Sequence, residues 1–353
     1  MPDIEGPSLG ICVGPNSNNI RWVFHSLIKN RLLKYKDNKF KEIIVFTKDN
    51  IDIETSTVFG QNVFMNGQDF IVKVGNYSIP DVIYVQCELT SDDIQFFENI
   101  CPGKVFNNFF YNKYEGYTIL NHHPNLRGFL PETKLLENEN DLYYFLNKYK
   151  EVFIKPIIGY SGKGIMCIRL NTNGTVMAIT TNDQRVFPDM SSVWNWIISE
   201  NIISKLIIQQ SITSSKWRKK NADIRLNMTK NGTGRWQVSF IICRVARNGH
   251  FNSYGNVSVV NLRTFLRNRF PKRNLRRMKT SIIQLGYKIC KTFDDANYHM
   301  ADIGIDLGMD SSGKLWVYEV NHLPHPFEKA NDLSLTMPFD YAYYLTKSKK
   351  PSS

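Results

Sequence analysis

The sequence predicts a mixed α/β and α+β protein, with an α/β domain at the N-terminus and a longer α+β region behind it. Three observations carry this expectation. Short apolar runs alternate with helix-like stretches as far as Phe106, glycine-bearing turns separate apolar runs from residue 150 onward, and 353 residues exceed one domain of ~150.

Leu9–Val13 and Glu42–Phe46 are strand-length apolar runs. Between them lies Ile20–Leu33, whose Trp22, Val23, Leu27 and Ile28 do not follow period two and predict a helix. Pro80 and Asp81 introduce a strand over Val82–Val85. A helix follows from Ser91, capped by that serine ahead of Asp92 and Asp93, and Lys104–Phe106 is the next strand. Strands alternating with helices imply a parallel sheet, so residues 1–108 read as an α/β domain.

Asn112–Leu120 starts a helix that His122, His123 and Pro124 end, because the residue before proline avoids the helical region. Asp141–Tyr149 is a second helix. Val152–Lys155, the turn Gly159 to Gly164 and Ile165–Leu170 form a hairpin-like flap. From residue 206 the strands read as antiparallel: Leu206–Ile212, Ile224–Thr229, Trp236–Val245, Ile303–Leu307 and Leu315–Val320. Asn231-Gly232, Asn248-Gly249 and Ser312-Gly313 supply hairpin-turn chemistry. A basic helix spans about Leu275 to Phe293, and residues 346–353 are expected to be a disordered tail.

Composition narrows the function classes. Hydrophobic residues make up 42% and charged residues 22%, which excludes disordered and collagenous chains. The six cysteines show no C-x-x-C pair and no zinc spacing, and read as reduced thiols. Neither a signal-peptide pattern nor a bilayer-length apolar run is present, so no membrane insertion and a cytoplasmic location are expected. Net charge is +12, yet residues 211–280 alone hold 17 Lys and Arg against the single acid Asp223, a local +16; the remaining 283 residues therefore sum to −4. Such a segment suits nucleic acid, an acidic partner or a phosphate-rich ligand.

Three constellations carry chemistry. Lys155 precedes a turn containing Gly159, Ser161, Gly162, Lys163 and Gly164; glycines let backbone N–H groups approach phosphate oxygens, although an ordinary tight hairpin fits equally well. The spacing is not that of a Walker A loop. In the second, Asp306 lies on one strand and Glu319 with Asn321 on the next, where period two puts the latter two on one face. Two carboxylates and an amide oxygen form a hard-oxygen site suited to Mg²⁺. In the third, Asp223 and Arg225 share a strand face, and Arg244 and Arg247 surround the next strand. Guanidinium forks suit phosphate or carboxylate, or a surface ion pair of little consequence.

Taken in order, these residues resemble the ATP-grasp superfamily, and most closely its YheC/YheD-like branch of endospore coat-associated proteins. The resemblance runs from about Leu9 to Leu345 and rests on Asn112-Lys113, Leu130-Pro131, Lys155-Pro156 with the glycine turn, Gln209 to Ile212, Asp223 to Arg225, Asn231 to Gln237, Gly304 to Asp306 and Glu319 to Pro324. It implies an ATP-grasp fold of two α+β subdomains, 109–210 bearing a lid and 211–345 bearing a metal site, behind the N-terminal α/β domain. By position, Lys113 and Lys155 match the lysines that grasp the nucleotide, Gly159–Gly164 the lid, and Gln209, Gln210, Ser211 and Ile212 the adenine-reading hinge. Asp306, Glu319 and Asn321 match the Mg²⁺ ligands. Arg225 and Arg244 match the basic residues at the γ-phosphate and acyl-phosphate.

The resemblance implies an ATP- and Mg²⁺-dependent carboxylate–amine ligase working through an acyl-phosphate. Other classes it allows are an ATP-binding spore-coat protein without turnover and a kinase of the same fold. Nucleic-acid binding ranks last, since no reading motif is present. Two departures are visible. Asn252–Val259 lacks the Gly-Gly found after the arginine strand in relatives, and His322 and His325 follow Asn321 as expected exposed loop residues. An acidic substrate or coat partner is the expectation for the surplus basic residues.

Overall fold

The computed structural model describes residues 5–14, 28–35, 39–66, 69–159, 162–181, 183–200, 205–246, 257–324 and 333–348. Three sheets organise them. The first contains β1 (Ser8–Cys12), β2 (Glu42–Phe46), β3 (Ile51–Asp52), β4 (Thr57–Asn66), β5 (Asp69–Ser78), β6 (Val82–Val85) and β7 (Val105–Phe106). Its order is β3-β4-β2-β1-β6-β7, with β5 paired to β4. The run β2-β1-β6-β7 is parallel, as the strand–helix alternation requires. Strands β1 and β6 are buried on both faces and accordingly read as largely apolar runs, while β2 begins with the half-buried Glu42 and Ile43.

Within the predicted helix 20–33, residues 20–27 lie outside the described set, and helix α1 covers Lys29–Lys34. Helix α2 (Ser91–Ile100) is capped one residue earlier than expected. Thr90, not Ser91, accepts from the Asp93 N–H while the Asp93 carboxylate accepts from the Thr90 N–H, a reciprocal box that Ser91 cannot make from inside the helix. The long hairpin β4–β5, absent from the sequence expectation, extends the parallel sheet with antiparallel strands.

Helix α3 (Lys113–His122) starts at a capping box between Asn112 and Glu115, and a short α4 (Pro124–Arg127) follows. The second sheet is antiparallel throughout, in the order β12-β11-β10-β9-β13-β8. Its strands are β8 (Thr133–Leu135), β9 (Glu151–Pro156), β10 (Met166–Leu170), β11 (Val176–Ile179), β12 (Gln184–Phe187) and β13 (Leu206–Gln210). Helices α5 (Glu139–Tyr149) and α6 (Met190–Glu200) cover one face, burying Leu142, Phe145, Val193 and Ile197 against Val152, Ile154 and Ile208.

The third sheet runs β16-β15-β14-β17-β18, again antiparallel. Its strands are β14 (Ala222–Lys230), β15 (Trp236–Ala246), β16 (Val257–Val260), β17 (Asp302–Met309) and β18 (Leu315–Asn321). Helices α7 (Leu262–Arg269) and α8 (Leu275–Asp295) pack on one face of it. Ile282, Leu285, Ile289 and Phe293 meet Leu226 and Met228 there, and Gly286 gives the room: a Cβ at that position would run into both. Helix α9 (Met337–Lys347) returns to the first sheet. The expected tail is thus corrected, because Thr346 and Lys347 are helical and residues 349–353 lie outside the described set.

The first and third sheets are tied through the interior. Arg31 and Asp302 form an ion pair at 3.4 Å with side chains 1% and 0% exposed. The Tyr84 hydroxyl donates to the same carboxylate at 3.0 Å, and the Asn107 amide bonds the backbone of Ala301, Asp302 and His322. Among the described residues, no helix is long and apolar enough to cross a membrane.

Candidate functional site

Strand alternation decides which side chains meet between the second and third sheets. On β14, Ile224, Leu226 and Met228 turn toward α8, so Asp223 and Arg225 take the opposite face. On β9, Glu151, Phe153 and Lys155 share the face away from Val152 and Ile154. A cleft of about 580 Å³ opens between these two faces. Lys113, Lys155, Gly159, Gly162, Lys163, Gln209, Gln210, Ser211 and Ile212 line one side; Asp223, Arg244, Asp306, Glu319 and Asn321 line the other.

Most residues singled out from the sequence are therefore in one place. Gly164 lies at the end of the flap and packs on Pro156; its φ of 73° and the proline ring together exclude a side chain there. Ser161 lies outside the described residues, as do Arg247, His325 and residues 252–256. Arg225 is set back: it borders a second cavity of about 920 Å³, between the ends of β1 and β6 and the start of α3, and reaches the first cleft only through Asp306.

The wall formed by the second sheet and the start of α3 is polar and preorganised. Lys155 Nζ donates to Gln209 Oε1 at 2.6 Å, and the Gln209 amide donates to Thr133 Oγ1 at 3.0 Å. Burial, with Lys113 nearby, lowers the Lys155 ammonium to about 8 despite Glu319 and Asp306. Lys113, at the first position of α3, donates to the Gly159 carbonyl and lies 3.7 Å from Glu319 Oε1. The chain leaves the sheet at Gln210, two residues before the strand end expected at Ile212. Ser211 turns out to bond Glu151, its hydroxyl donating to Oε1 at 2.7 Å and its N–H to the backbone carbonyl.

The opposite wall alternates charge. Arg244 Nε donates to Asp223 Oδ1 at 2.6 Å, and its Nη2 lies 3.0 Å from Asp306 Oδ1. Arg225 Nε sits 2.7 Å from that same oxygen, off the hydrogen-bond line. Burial raises the Asp223 carboxyl above its ordinary range, with Arg244 opposing the shift. Asp306 stands opposite Glu319 in the β17–β18 register, followed by a bulge, and Asn321 Nδ2 is 3.4 Å from Asp306 Oδ2. Gly304 is required beside them, because a Cβ there would overlap the Arg225 guanidinium.

The donor set bears on a divalent ion. Among the described residues no group of three or more His, Cys, Asp or Glu could hold a metal by itself. Two carboxylates and one amide oxygen are hard donors that fit Mg²⁺ whose shell is completed by phosphate oxygens and water. His322 corrects an expectation: it is half-buried between Phe110 and Tyr111, ring centroids 4.9 Å and 5.0 Å away, and burial lowers its imidazole to about 4. Sequence reasoning missed Glu151, Phe153 and Tyr318 in the cleft, although the alternation Glu151, Phe153, Lys155 was readable.

Comparisons with known proteins bear on the fold and the family. The chain is 26% identical over 257 residues to the endospore coat-associated protein YheD of Bacillus subtilis, covering 69% of this chain and 56% of that one. Thus the chain spans little more than half the length of that relative. The endospore coat-associated protein YheC of the same organism is 19% identical over 263 residues, covering 70% and 71%. Among solved structures, the VanG D-Ala:D-Ser ligase of Enterococcus faecalis superposes with a TM-score of 0.57 at 13% identity, over 97% of this chain and 98% of that one. The ADP complex of an N5-carboxyaminoimidazole ribonucleotide synthetase gives 0.55 at 12% identity, over 92% and 73%. These likenesses establish an ATP-grasp fold. The model of the YheC/D-like ATP-grasp family matches residues 103–345, which include both walls of the cleft, and the chain belongs to that family.

Proposed function

We propose that this protein is an ATP- and Mg²⁺-dependent ligase that joins a carboxylate to an amine through an acyl-phosphate. The observation that supports it best is the opposition of Lys113, Lys155 and the Gln209–Ile212 segment to Asp306, Glu319, Asn321 and Arg244 across one cleft of about 580 Å³. In this reading the units 1–108, 109–210 and 211–345 each supply one part. Gln209 to Ile212 offer backbone groups to adenine; Lys113 and Lys155 meet the phosphates; Gly159 to Gly164 close over them.

Asp306, Glu319 and Asn321 would hold Mg²⁺, which when bound neutralises phosphate charge and polarises the transferring group. Arg244 is already pinned by Asp223 and lies where it can stabilise that group with little reorganisation; Arg225 reaches it through Asp306 from the second cavity, which is assigned to the acceptor. Closing the flap excludes water, which would otherwise hydrolyse an acyl-phosphate. The relatives' names refer to the endospore coat, and the same setting is proposed here for a cytoplasmic protein.

The test is ADP release with Mg²⁺ in the presence of carboxylic acid and amine mixtures. Glu319→Ala should cut turnover by roughly a hundredfold or more while leaving the melting temperature unchanged. Parent-like turnover in that variant removes Glu319 from the reaction. A stable phosphorylated product replaces the ligase with a kinase, and ATP binding with no turnover in any mixture favours a structural role.

A further inference from the structure

The two cavities account for Arg225 and Arg244 but not for the largest concentration of charge. Between Arg263 and Lys279 lie eight cations, six of them arginines, and no acid: Arg263, Arg267 and Arg269 on or ending α7, then Lys272, Arg273, Arg276, Arg277 and Lys279. All eight are exposed, and among the described residues none is in an ion pair. They cannot serve the nucleotide, because α7 and α8 cover the face of the third sheet opposite the cleft. The loop carrying Lys216, Arg218 and Lys219 continues this surface round the sheet edge. Its Trp217 ring lies 6.4 Å from Phe265 of α7, and Lys216 borders the cleft.

The geometry points to this α7–α8 surface as a docking site for an acidic polypeptide segment. Burial argues against the other polyanions. Phe265 and Phe270 are inside, and the half-buried Trp217 ring packs toward Phe265 with the Arg218 guanidinium over it, so no fully exposed aromatic stands among the cations for single-stranded bases to stack on. No exposed large apolar side chain lies in 261–281 to anchor a bilayer; Val259 and Tyr287 flank the region. Helix α7 is two turns long, and α8 is packed on the core by half-buried Leu275 and Met278 in its basic first turns and by seven buried residues from Ile282 onward, so neither projects into a duplex groove. Arginine forks match carboxylates two-to-two. Arg263 and Arg267, one turn apart at ~6 Å, also match the ~6.7 Å between same-side carboxylates of an extended acidic chain.

Fluorescence anisotropy with a labelled poly-L-glutamate, at low and rising salt, tests the assignment on the full-length protein without reference to turnover. Duplex DNA and phosphatidylserine vesicles are measured alongside. Binding of poly-L-glutamate should weaken with salt, and should fall roughly tenfold in Arg263→Gln/Arg267→Gln/Arg269→Gln and in Arg273→Gln/Arg276→Gln/Arg277→Gln, three exposed pairs being lost in each. These side chains are exposed, so unchanged melting temperatures verify the fold. Undiminished binding in both variants, absence of binding at low salt, or tighter binding of DNA or vesicles than of poly-L-glutamate overturns it.

Discussion

Arg244 on β15 reaches over the whole width of β14 to lie 3.0 Å from Asp306 on β17. Asp306 thereby meets two guanidinium groups, Arg225 and Arg244, with all three side chains at most 10% exposed. Removing one member of such a cluster leaves uncompensated buried charge. Asp306→Asn should therefore lower unfolding free energy by about 3 kcal/mol in the nucleotide-free protein, read from the denaturant midpoint. A parent-like midpoint would show that the arginines are already solvated.

Lys155 gives a pH signature. Its ammonium sits at about 8, below the ordinary lysine value, so the neutral form gains population as pH rises through 8. Phosphate favours the charged form, and ATP affinity should accordingly fall between pH 7.5 and 9.5, by up to roughly tenfold per unit. Lys155→Arg, which stays charged, should bind with a flat profile in titration calorimetry; an equally steep profile there would place the titration elsewhere.

Gly304 tests the close approach behind the third-sheet wall of the cleft. Alanine at this position displaces the Arg225 guanidinium, and Gly304→Ala should cost about 1–3 kcal/mol together with loss of turnover. Gly128→Ala is the matched control: nothing lies within 4 Å of its added Cβ and its φ is −65°, so stability should be unchanged or slightly raised. Equal melting temperatures for all three proteins would contradict the overlap.

His299 sets the acid limit of stability. Burial lowers its imidazole to about 4, and its Nε2 lies 2.7 Å from the Tyr341 hydroxyl on α9. A depressed pKa contributes stability that is present above the ordinary value of 6.5 and lost as pH falls toward 4. Roughly 2–3 kcal/mol should disappear over that window. In His299→Gln the pH slope of the denaturant midpoint should flatten; an unaltered slope would assign the loss to carboxylates.

How much was legible in the chain differs by element. The β17–β18 pair could be read because Asp306 interrupts a strand buried along its whole length and Glu319 and Asn321 interrupt an apolar one. Hairpin β4–β5 was overlooked. Gly60 and Gly75 face each other in it, and its apolar residues Phe59, Val72 and Val74 are exposed, so the pattern does not announce a buried face. The burial of His322 depends on Phe110 and Tyr111, over 200 residues earlier, and no local pattern encodes that. Likewise the turn at Ser211 follows from a bond to Glu151, sixty positions away.

The Arg31–Asp302 pair does not line the cleft, yet it bears on how the cleft is held. Separating the first and third sheets would strand two opposite charges in an apolar interior and break the Tyr84 and Asn107 bonds with them. Those bonds resist movement of the two sheets relative to one another. A change in the width of the cleft would then have to come from the second sheet, which joins those two through residues 123–132 and 211–221. On the proposed reading, nucleotide entry and exit would then depend on those two stretches, with the third-sheet residues of the cleft and the second cavity held in fixed relation.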